Sequence, residues 1–379
     1  MNSFFRGACL PLVLAVSLFA GPTLRGQDRP DDNSIDWNKA KDLYRRSQQG
    51  ETLTPEDQSY LDRAKELRRG GAGQRGAPQT SAGNQRKAPE QLVPLTDMSG
   101  EVTYEGEAGG LYGKGMNTPP PALQKKVEAQ LALIHPLDAK GEPSPDGTIV
   151  TISISMSNAT MEYSTFKRLA DPSPLKSPRV TIVDCAQGGQ AMAEWVPEDG
   201  RPWEVALQRL EAAGVTPAQV QTAWIKLANK APSGSFQEHL QKLEADTVKV
   251  LQNARNRFPN LRIAYLGSRI WAGNAKGGLN PEPYAYEGAF AVRSLIQRQS
   301  DGDADLSPEK APLLLWGPYL WAEGTKGRKI DQLIWEPQDF ANDGVHPSES
   351  GRQKVAHLLL EFFTGDPMAN AWFAAKSGN

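Results

Sequence analysis

Cysteine is scarce in this 379-residue chain, which contains only Cys9 and Cys185. Cys9 lies in an N-terminal segment that we expect to be removed, so a disulfide within the mature chain is excluded. A chain of this length can bury a core large enough for one enzyme-sized domain without such cross-links.

The chain also lacks an excess of charge of either sign, since 42 Lys and Arg residues face 44 Asp and Glu residues. With a net charge of −2, the chain has no excess of basic residues, so we expect it to bind neither nucleic acid nor a charged membrane surface. No cluster of Cys and His has the spacing of metal ligands, and the acidic stretch 301–305 lacks the glycine and closing glutamate of a calcium loop. The sequence therefore indicates no metal and no cofactor.

Long apolar runs are absent after the N-terminal segment, so we expect a mature chain that does not span the membrane. At the N-terminus, Arg6 precedes a short apolar run that ends in the small residues Ala20 and Gly21, which is the pattern of an export signal. We predict a signal peptide over residues 1–26 and a secreted or periplasmic protein; an uncleaved N-terminal anchor is the alternative.

Three further regions follow the signal peptide. Apolar residues at helical spacing predict a helical hairpin over residues 36–70. Residues 71–91 are rich in Gly, Gln, Ala, Ser and Pro and predict a flexible linker. Residues 92–379 form the main domain. No internal repeat is present, so a solenoid or propeller is not expected.

Strand-like and helical patterns alternate through the main domain. We predict strands over 148–155, 179–185, 220–227, 261–267 and 313–317, and helices over 158–169, 202–213, 236–258, 286–298 and 350–363. Strict alternation requires parallel pairing with right-handed crossovers. The sequence therefore predicts an α/β fold, a three-layer α/β/α sandwich around a five-stranded parallel sheet, preceded by the short helix pair.

Polar residues and glycines follow the first three predicted strands, where ligands usually bind in such folds. Ser157 follows the first strand and opens a helix, whose N-terminus favours a developing negative charge. Gly189 follows the second strand and Asn229 the third, and each is a candidate hydrogen-bond donor to an oxyanion. Taken alone, each is as readily explained as a helix cap or a turn residue.

One histidine of the four stands out. His346 lies in the loop sequence NDGVHPSES, three residues after Asp343. An Asp-Gly-x-His-Pro turn brings a carboxylate to the imidazole ring, where it fixes the tautomer and stabilises the imidazolium. The alternative is a solvated surface histidine beside a turn aspartate.

Taken in order, these residues resemble the SGNH/GDSL hydrolase superfamily over about residues 148–363. The resemblance implies a flavodoxin-like fold and an ester-hydrolysing enzyme. It implies Ser157 as nucleophile, His346 as general base and Asp343 as its orienting acid, with Gly189, Asn229 and the backbone N–H of Ser157 as the oxyanion hole. The strings GGLYG, QGGQ, LNPEPYAYE and WGPYLW resemble exported, planctomycete-type members.

Two departures from the superfamily pattern leave alternatives open. The first block contains SMSN where the family has a Gly-Asp-Ser start, so Ser155 competes with Ser157 as nucleophile. In the third block, Leu227 and Ala228 replace small glycines ahead of Asn229.

The loop after the fourth strand is long, polar and aromatic, which suits a sugar ring. It places four candidate substrate-binding residues near the site: Ser268, Arg269, Tyr284 and Glu287. Trp271 lies in the same loop, and Trp316, Tyr319 and Trp321 are candidates to extend an aromatic platform. We expect a small ester substrate, with removal of acetyl or similar acyl groups from carbohydrate. The alternative is a catalytically inactive protein of the same fold that binds carbohydrate or interacts with the cell envelope.

Overall fold

A computed structural model describes residues 35–48, 53–71 and 86–375. The chain divides into two units, residues 1–79 and 80–379. In the first unit, helix α1 (Trp37–Gln48) packs against helix α2 (Pro55–Gly71). The Thr54 hydroxyl caps α2 by accepting the N–H of Asp57. The predicted signal peptide over residues 1–26, and residues 72–85 of the linker predicted over residues 71–91, lie outside the described residues.

The second unit begins with short elements that precede the main sheet. A hairpin pairs β1 (Thr103–Tyr104) with β2 (Glu107–Ala108), and helix α3 (Pro121–Leu131) follows. These elements were not predicted from the sequence. The hairpin has two residues in each strand, and α3 buries only Leu123 and Val127, so neither shows a clear hydrophobic period.

Five largely apolar strands form one parallel sheet: β3 (Ile149–Ser155), β4 (Val180–Val183), β5 (Val220–Lys226), β6 (Ile263–Leu266) and β7 (Leu313–Trp316). Their spatial order is β4-β3-β5-β6-β7. Counted within this sheet, the order is 2-1-3-4-5, which is the flavodoxin-like order. Almost every residue of these strands is buried, as expected for a sheet covered on both faces.

Helices connect and cover the strands: α4 (Ser157–Ala170), α5 (Met192–Trp195), α6 (Arg201–Ala212), α7 (Phe236–Arg257), α8 (Tyr284–Ser300), α9 (Glu349–Gly365) and α10 (Asn370–Phe373). Right-handed crossovers place α4 on one face and α6, α7 and α8 on the other. Helix α9 returns to pack on α4, and α7 packs on α8. The predicted three-layer α/β/α sandwich with a five-stranded parallel sheet is confirmed.

Because all five strands are parallel, their carboxyl ends lie along one edge of the sheet, and the loops that leave this edge hold the candidate site. The short helices α5 and α10 were not predicted, since four residues are too few to show a helical period. None of the helices in the described ranges has both the length and the apolar character needed to cross a membrane.

Candidate active site

The nucleophile candidate lies where β3 passes into α4. Met156 has an extended backbone and is the N-cap of α4, so Ser157 occupies the first turn of a 14-residue helix. The competing serine, Ser155, is fully buried, and its hydroxyl donates to the carbonyl oxygen of Lys226 on β5. Of the two serines, only Ser157 contacts His346. Only Ser157 lines the adjacent surface cleft, which has a volume of about 270 Å³.

Ser157, His346 and Asp343 form a continuous hydrogen-bonded chain. The Ser157 Oγ lies 2.7 Å from the Nε2 of His346. On the other side of the ring, Nδ1 lies 2.6 Å from the Oδ2 of Asp343. This is the arrangement in which a carboxylate holds an imidazole so that its far nitrogen accepts a hydroxyl proton.

The turn that carries this pair is formed locally. The Oδ1 of Asp343 accepts the backbone N–H groups of Val345 and His346, each at 3.0 Å. Gly344 has φ +69°, and a Cβ there would lie 1.8 Å from the carbonyl oxygen of Asn274. Partial burial opposes ionisation of Asp343, but these hydrogen bonds prevail and lower the pKa of its carboxyl group.

A cleft of about 270 Å³ opens beside this chain. Its lining includes Ser157, His346, Gly189 and Asn229. Gly189 has φ +79°, a backbone conformation that L side chains rarely adopt. Thus the predicted nucleophile, base and two oxyanion donors come from four separate segments of the chain and share one cleft.

Of the four predicted substrate-binding residues, Arg269 lines this cleft. Its Nη1 donates to the Oδ1 of Asn158 at 3.5 Å, and the Nδ2 of Asn158 donates to the carbonyl oxygen of Val345 at 3.3 Å. Asn158, the residue after the candidate nucleophile, therefore links Arg269 to Val345, the residue before His346. Ser268 is buried and lines a small neighbouring cavity, whose lining also includes Arg269 and Asn280.

The structure does not place Tyr284 and Glu287 in the cleft. Helix α8 begins at Tyr284, two residues earlier than predicted, and turns both side chains into the interior. The Glu287 carboxylate accepts from Arg86, Tyr104 and His239. Burial by itself would raise the pKa of Glu287, but these three partners lower it. The residue thus anchors Arg86, at the start of the larger described unit, and has a structural role.

The expected aromatic platform is also absent from the cleft. Trp316, Tyr319 and Trp321 are buried in the core. The Trp316 indole N–H donates to the carbonyl oxygen of Leu111, and that of Trp321 donates to Glu282. Their aromatic character predicted contact with a ligand, but the interior provides both the packing and the acceptors that these rings require.

A buried ion pair behind the site was missed by the sequence analysis. Glu162 of α4 and Lys226 at the end of β5 are both fully buried and paired with each other. Burial raises the pKa of Glu162 and lowers the pKa of Lys226 to about 8, while their mutual attraction opposes both shifts. The only sequence signal was a lysine, Lys226, near the end of the strand predicted over residues 220–227. Across residues 35–48, 53–71 and 86–375, no three His, Cys, Asp or Glu side chains lie together as a metal-binding group.

No family model matches the chain, and no curated protein matches it. Among solved structures, it is similar to a GDSL-like lipase from Bacteroides thetaiotaomicron, at 9% identity over 63% of this chain and 95% of that one, with a TM-score of 0.30. It is similar to the periplasmic domain of a lipopolysaccharide acetyltransferase from Salmonella ser. Paratyphi A, at 10% identity over 64% and 97%, with a TM-score of 0.31. A salicylyl-acyltransferase from a tetracycline biosynthetic pathway matches at 12% identity over 60% and 58%, with a TM-score of 0.32. Similarities this distant do not decide what the chain does, so its function is inferred from the geometry of the site.

Proposed function

We propose that this protein is an exported serine ester hydrolase of the SGNH type that removes acetyl or other small acyl groups from carbohydrate. The observation that carries the proposal is the hydrogen-bonded chain from the Ser157 Oγ through both nitrogens of His346 to the Asp343 carboxylate. A hydroxyl in contact with an imidazole that is itself held by an acid is the arrangement that activates a serine.

In the proposed reaction, the Ser157 Oγ attacks the ester carbonyl carbon while His346 Nε2 takes the hydroxyl proton. The carbonyl oxygen becomes an oxyanion, and the backbone N–H groups of Ser157 and Gly189 and the side-chain amide of Asn229 donate to it. The N-terminus of α4 adds partial positive charge at the same place. The Asp343 carboxylate stabilises the imidazolium that forms.

The tetrahedral intermediate then collapses, and His346 returns its proton to the leaving alkoxide, which departs as an alcohol. Water attacks the acyl-serine with His346 again as base. The second intermediate expels the serine oxygen, which regains its proton from His346. The products are the free carboxylic acid and the deacylated alcohol, and the enzyme is restored.

The substrate class is supported by the size and chemistry of the cleft. About 270 Å³ is close to the lower end of the range for ligand sites and suits a small acyl group with part of a sugar ring. Asn229, Lys230 and Asn280 line the cleft and supply polar groups for sugar hydroxyls. Export is supported by the N-terminal sequence pattern alone, and a mature N-terminus near residue 27 in protein recovered outside the cytoplasm would establish it.

Reaction with a fluorophosphonate, followed by peptide mass mapping, tests the nucleophile and its activation together. We expect the label on the peptide that contains Ser157. The Ser157→Ala variant should lose the label, and the matched Ser155→Ala variant should keep it, because Ser155 is buried and donates to the backbone.

Turnover is then measured on short nitrophenyl esters and on acetylated polysaccharides. An unlabelled Ser157 in folded protein would refute the hydrolase proposal. A labelled Ser157 with activity on nitrophenyl esters but on no acetylated polysaccharide would refute only the proposal that the substrate is an acylated carbohydrate.

A further inference from the structure

A second cavity, of about 630 Å³, opens beside the amino-terminal ends of β6 and β7. Its lining includes Arg262 and Pro312, the residues directly before these two strands. It therefore lies at the edge of the sheet opposite the candidate active site, and we call it the amino-edge cavity. Its volume falls within the range of ordinary ligand sites. Part of its wall is apolar and contains Leu261, Leu306 and Leu313.

Arg262 lines this cavity with an unpaired guanidinium. Its backbone is fixed by the sheet, because its N–H donates to the carbonyl oxygen of Gln221 and its carbonyl oxygen accepts the N–H of Leu313. The side chain is part-buried. In the described part of the chain, its guanidinium has neither a hydrogen-bond partner nor an ion-pair partner. A guanidinium that is held in place but unpaired is available to a ligand.

Two more cations line the amino-edge cavity. Arg255 is part-buried near the end of α7, and its Nη1 donates to two backbone carbonyl groups ahead of β6, which carry no charge. Burial and the like charge of Arg255 both lower the pKa of Arg262, so the two guanidiniums lie close enough to repel each other. Lys126 of α3 is exposed and donates to the carbonyl oxygen of Ser300. An anion between these side chains would offset the repulsion.

The two carboxylates in the lining compensate this charge only in part. Asp303 is paired at 2.7 Å with Arg298, which lies outside the lining. Glu309 is exposed and forms no ion pair within the described residues, although the Ser307 hydroxyl and then the charge of Arg255 lower its pKa. Even when Glu309 is counted against one cation, two of the three positive charges have no counter-charge in the cavity.

We propose that the amino-edge cavity binds a phosphate monoester, with the phosphate held by Arg255 and Arg262 and its organic group packed against the wall of Leu261, Leu306 and Leu313. A phosphate monoester carries about −1.5 to −2 charges at pH 7, which matches the two uncompensated cations. Guanidinium groups suit phosphate because their planar fork donates two parallel hydrogen bonds to its oxygens. This site does not depend on the proposed hydrolase activity.

Binding to the full chain tests the site without any turnover. The protein is titrated calorimetrically at neutral pH and low ionic strength with phenyl phosphate, benzoate, benzyl alcohol and inorganic phosphate. We expect phenyl phosphate to bind about tenfold or more tightly than benzyl alcohol, because charge-assisted hydrogen bonds hold it. Benzoate has one charge fewer and inorganic phosphate has no apolar group, so both should bind more weakly than phenyl phosphate.

Three results of these titrations would contradict the proposal. Equal affinities for phenyl phosphate and benzyl alcohol would overturn it, and this comparison needs no variant. Benzoate binding as tightly as phenyl phosphate would overturn the assignment of a phosphate. Inorganic phosphate binding as tightly as phenyl phosphate would overturn the role of the apolar wall.

Variants locate the bound phosphate. Arg262→Met and Arg255→Met should each weaken the binding of phenyl phosphate about tenfold or more. Lys126→Met, at an exposed position, should weaken it less. Arg179→Met is the matched control, because Arg179 lies at the same edge of the sheet but outside the lining, and its carbonyl oxygen accepts the N–H of Ile149. Affinity that survives in either folded Arg262→Met or folded Arg255→Met would overturn the proposal.

This site and the hydrolase proposal fail separately. Ser157→Ala should bind phenyl phosphate as the wild type does, and a loss of binding in this variant would place the ligand in the active-site cleft and overturn the inference. Fluorophosphonate labelling without phenyl phosphate binding would refute the phosphate site and leave the hydrolase. Phenyl phosphate binding without labelling would refute the hydrolase and leave the phosphate site.

Discussion

Replacement of Asp343 by Asn measures how much the acid contributes to the proposed mechanism. Asparagine keeps an oxygen that can accept the N–H groups of Val345 and His346, so the turn is preserved. It removes the negative charge that lies 2.6 Å from the Nδ1 of His346. The change therefore separates the electrostatic role of Asp343 from its role in shaping the loop.

The expected loss follows from the position of this pair at the protein surface. Two unit charges about 4 Å apart interact by about 1 kcal/mol in water and by about 4 kcal/mol at an effective dielectric constant of 20. The Asp343 side chain is 45% exposed, so the interaction lies between these limits. We expect the Asp343 carboxylate to stabilise the imidazolium by about 2 to 3 kcal/mol, which corresponds to about a 30- to 200-fold loss in kcat when it is removed. The acid of a fully buried triad contributes about 10⁴-fold, and we expect less here.

The assay is steady-state hydrolysis of a short nitrophenyl ester, with kcat and KM resolved. We expect the loss in kcat, with little change in KM. Asp146→Asn is the control, because Asp146 is 97% exposed and its carboxylate lies 3.7 Å from Arg179. An Asp343→Asn protein with less than a threefold loss would show that this carboxylate does not stabilise the imidazolium, and the reasoning would be refuted.

Three other changes probe the site and its support. Asn229→Ala should lower kcat about 10²- to 10³-fold with little change in KM, measured on the same ester, because it removes one oxyanion donor; an unchanged kcat would exclude that role. Gly344→Ala should lower both activity and melting temperature, because φ is +69° at this position and the new Cβ would lie 1.8 Å from a backbone oxygen. Gly302→Ala is the control: its φ is +90° but no described atom lies near the new Cβ, so it should lower the melting temperature only through backbone strain and leave activity unchanged. Glu287→Gln should lower the free energy of unfolding by about 3 to 5 kcal/mol in urea titrations at neutral pH, because it leaves Arg86 without its buried partner. Folding lowers the pKa of Glu287, so its carboxylate stabilises the folded state above the unfolded pKa of about 4.3, and this stabilisation is lost as the pH falls through the lower folded pKa. A difference in free energy of unfolding between variant and wild type that grew on acidification would contradict this.

Much of the sheet was predictable because its signals are local and periodic. The apolar runs that form β3 to β7 are bounded by polar and glycine-rich segments, and each lies within a few residues of its predicted position. The link between Asp343 and His346 was also predictable, because three residues and a glycine turn determine it. Ser157, Gly189 and Asn229 were singled out because parallel strands send their carboxyl ends to one edge.

The predictions that failed concern which way a side chain faces. Tyr284 and Glu287 lie in a polar and aromatic stretch, but a helix that starts two residues early turns them inward. The same applies to Trp316, whose indole finds its acceptor in a loop about 200 residues away in sequence. Composition indicates that such residues need a partner, but it does not say whether that partner is a ligand or the protein itself.

By itself, the sequence determined the order of strands and helices, the layered parallel architecture and the local pairing of Asp343 with His346, since each depends on periodicity or on spacing within one turn. The tertiary structure alone decided that the Ser157 hydroxyl contacts this histidine, 189 residues away in sequence, whereas the Ser155 hydroxyl is buried and donates to the carbonyl oxygen of Lys226. It also decided that Arg269 is buried in the wall of the cleft and that its Nε and Nη2 have no hydrogen-bond partner among the described residues. Distances between remote segments and the burial of a charge are properties of the packed chain, and no local pattern encodes them.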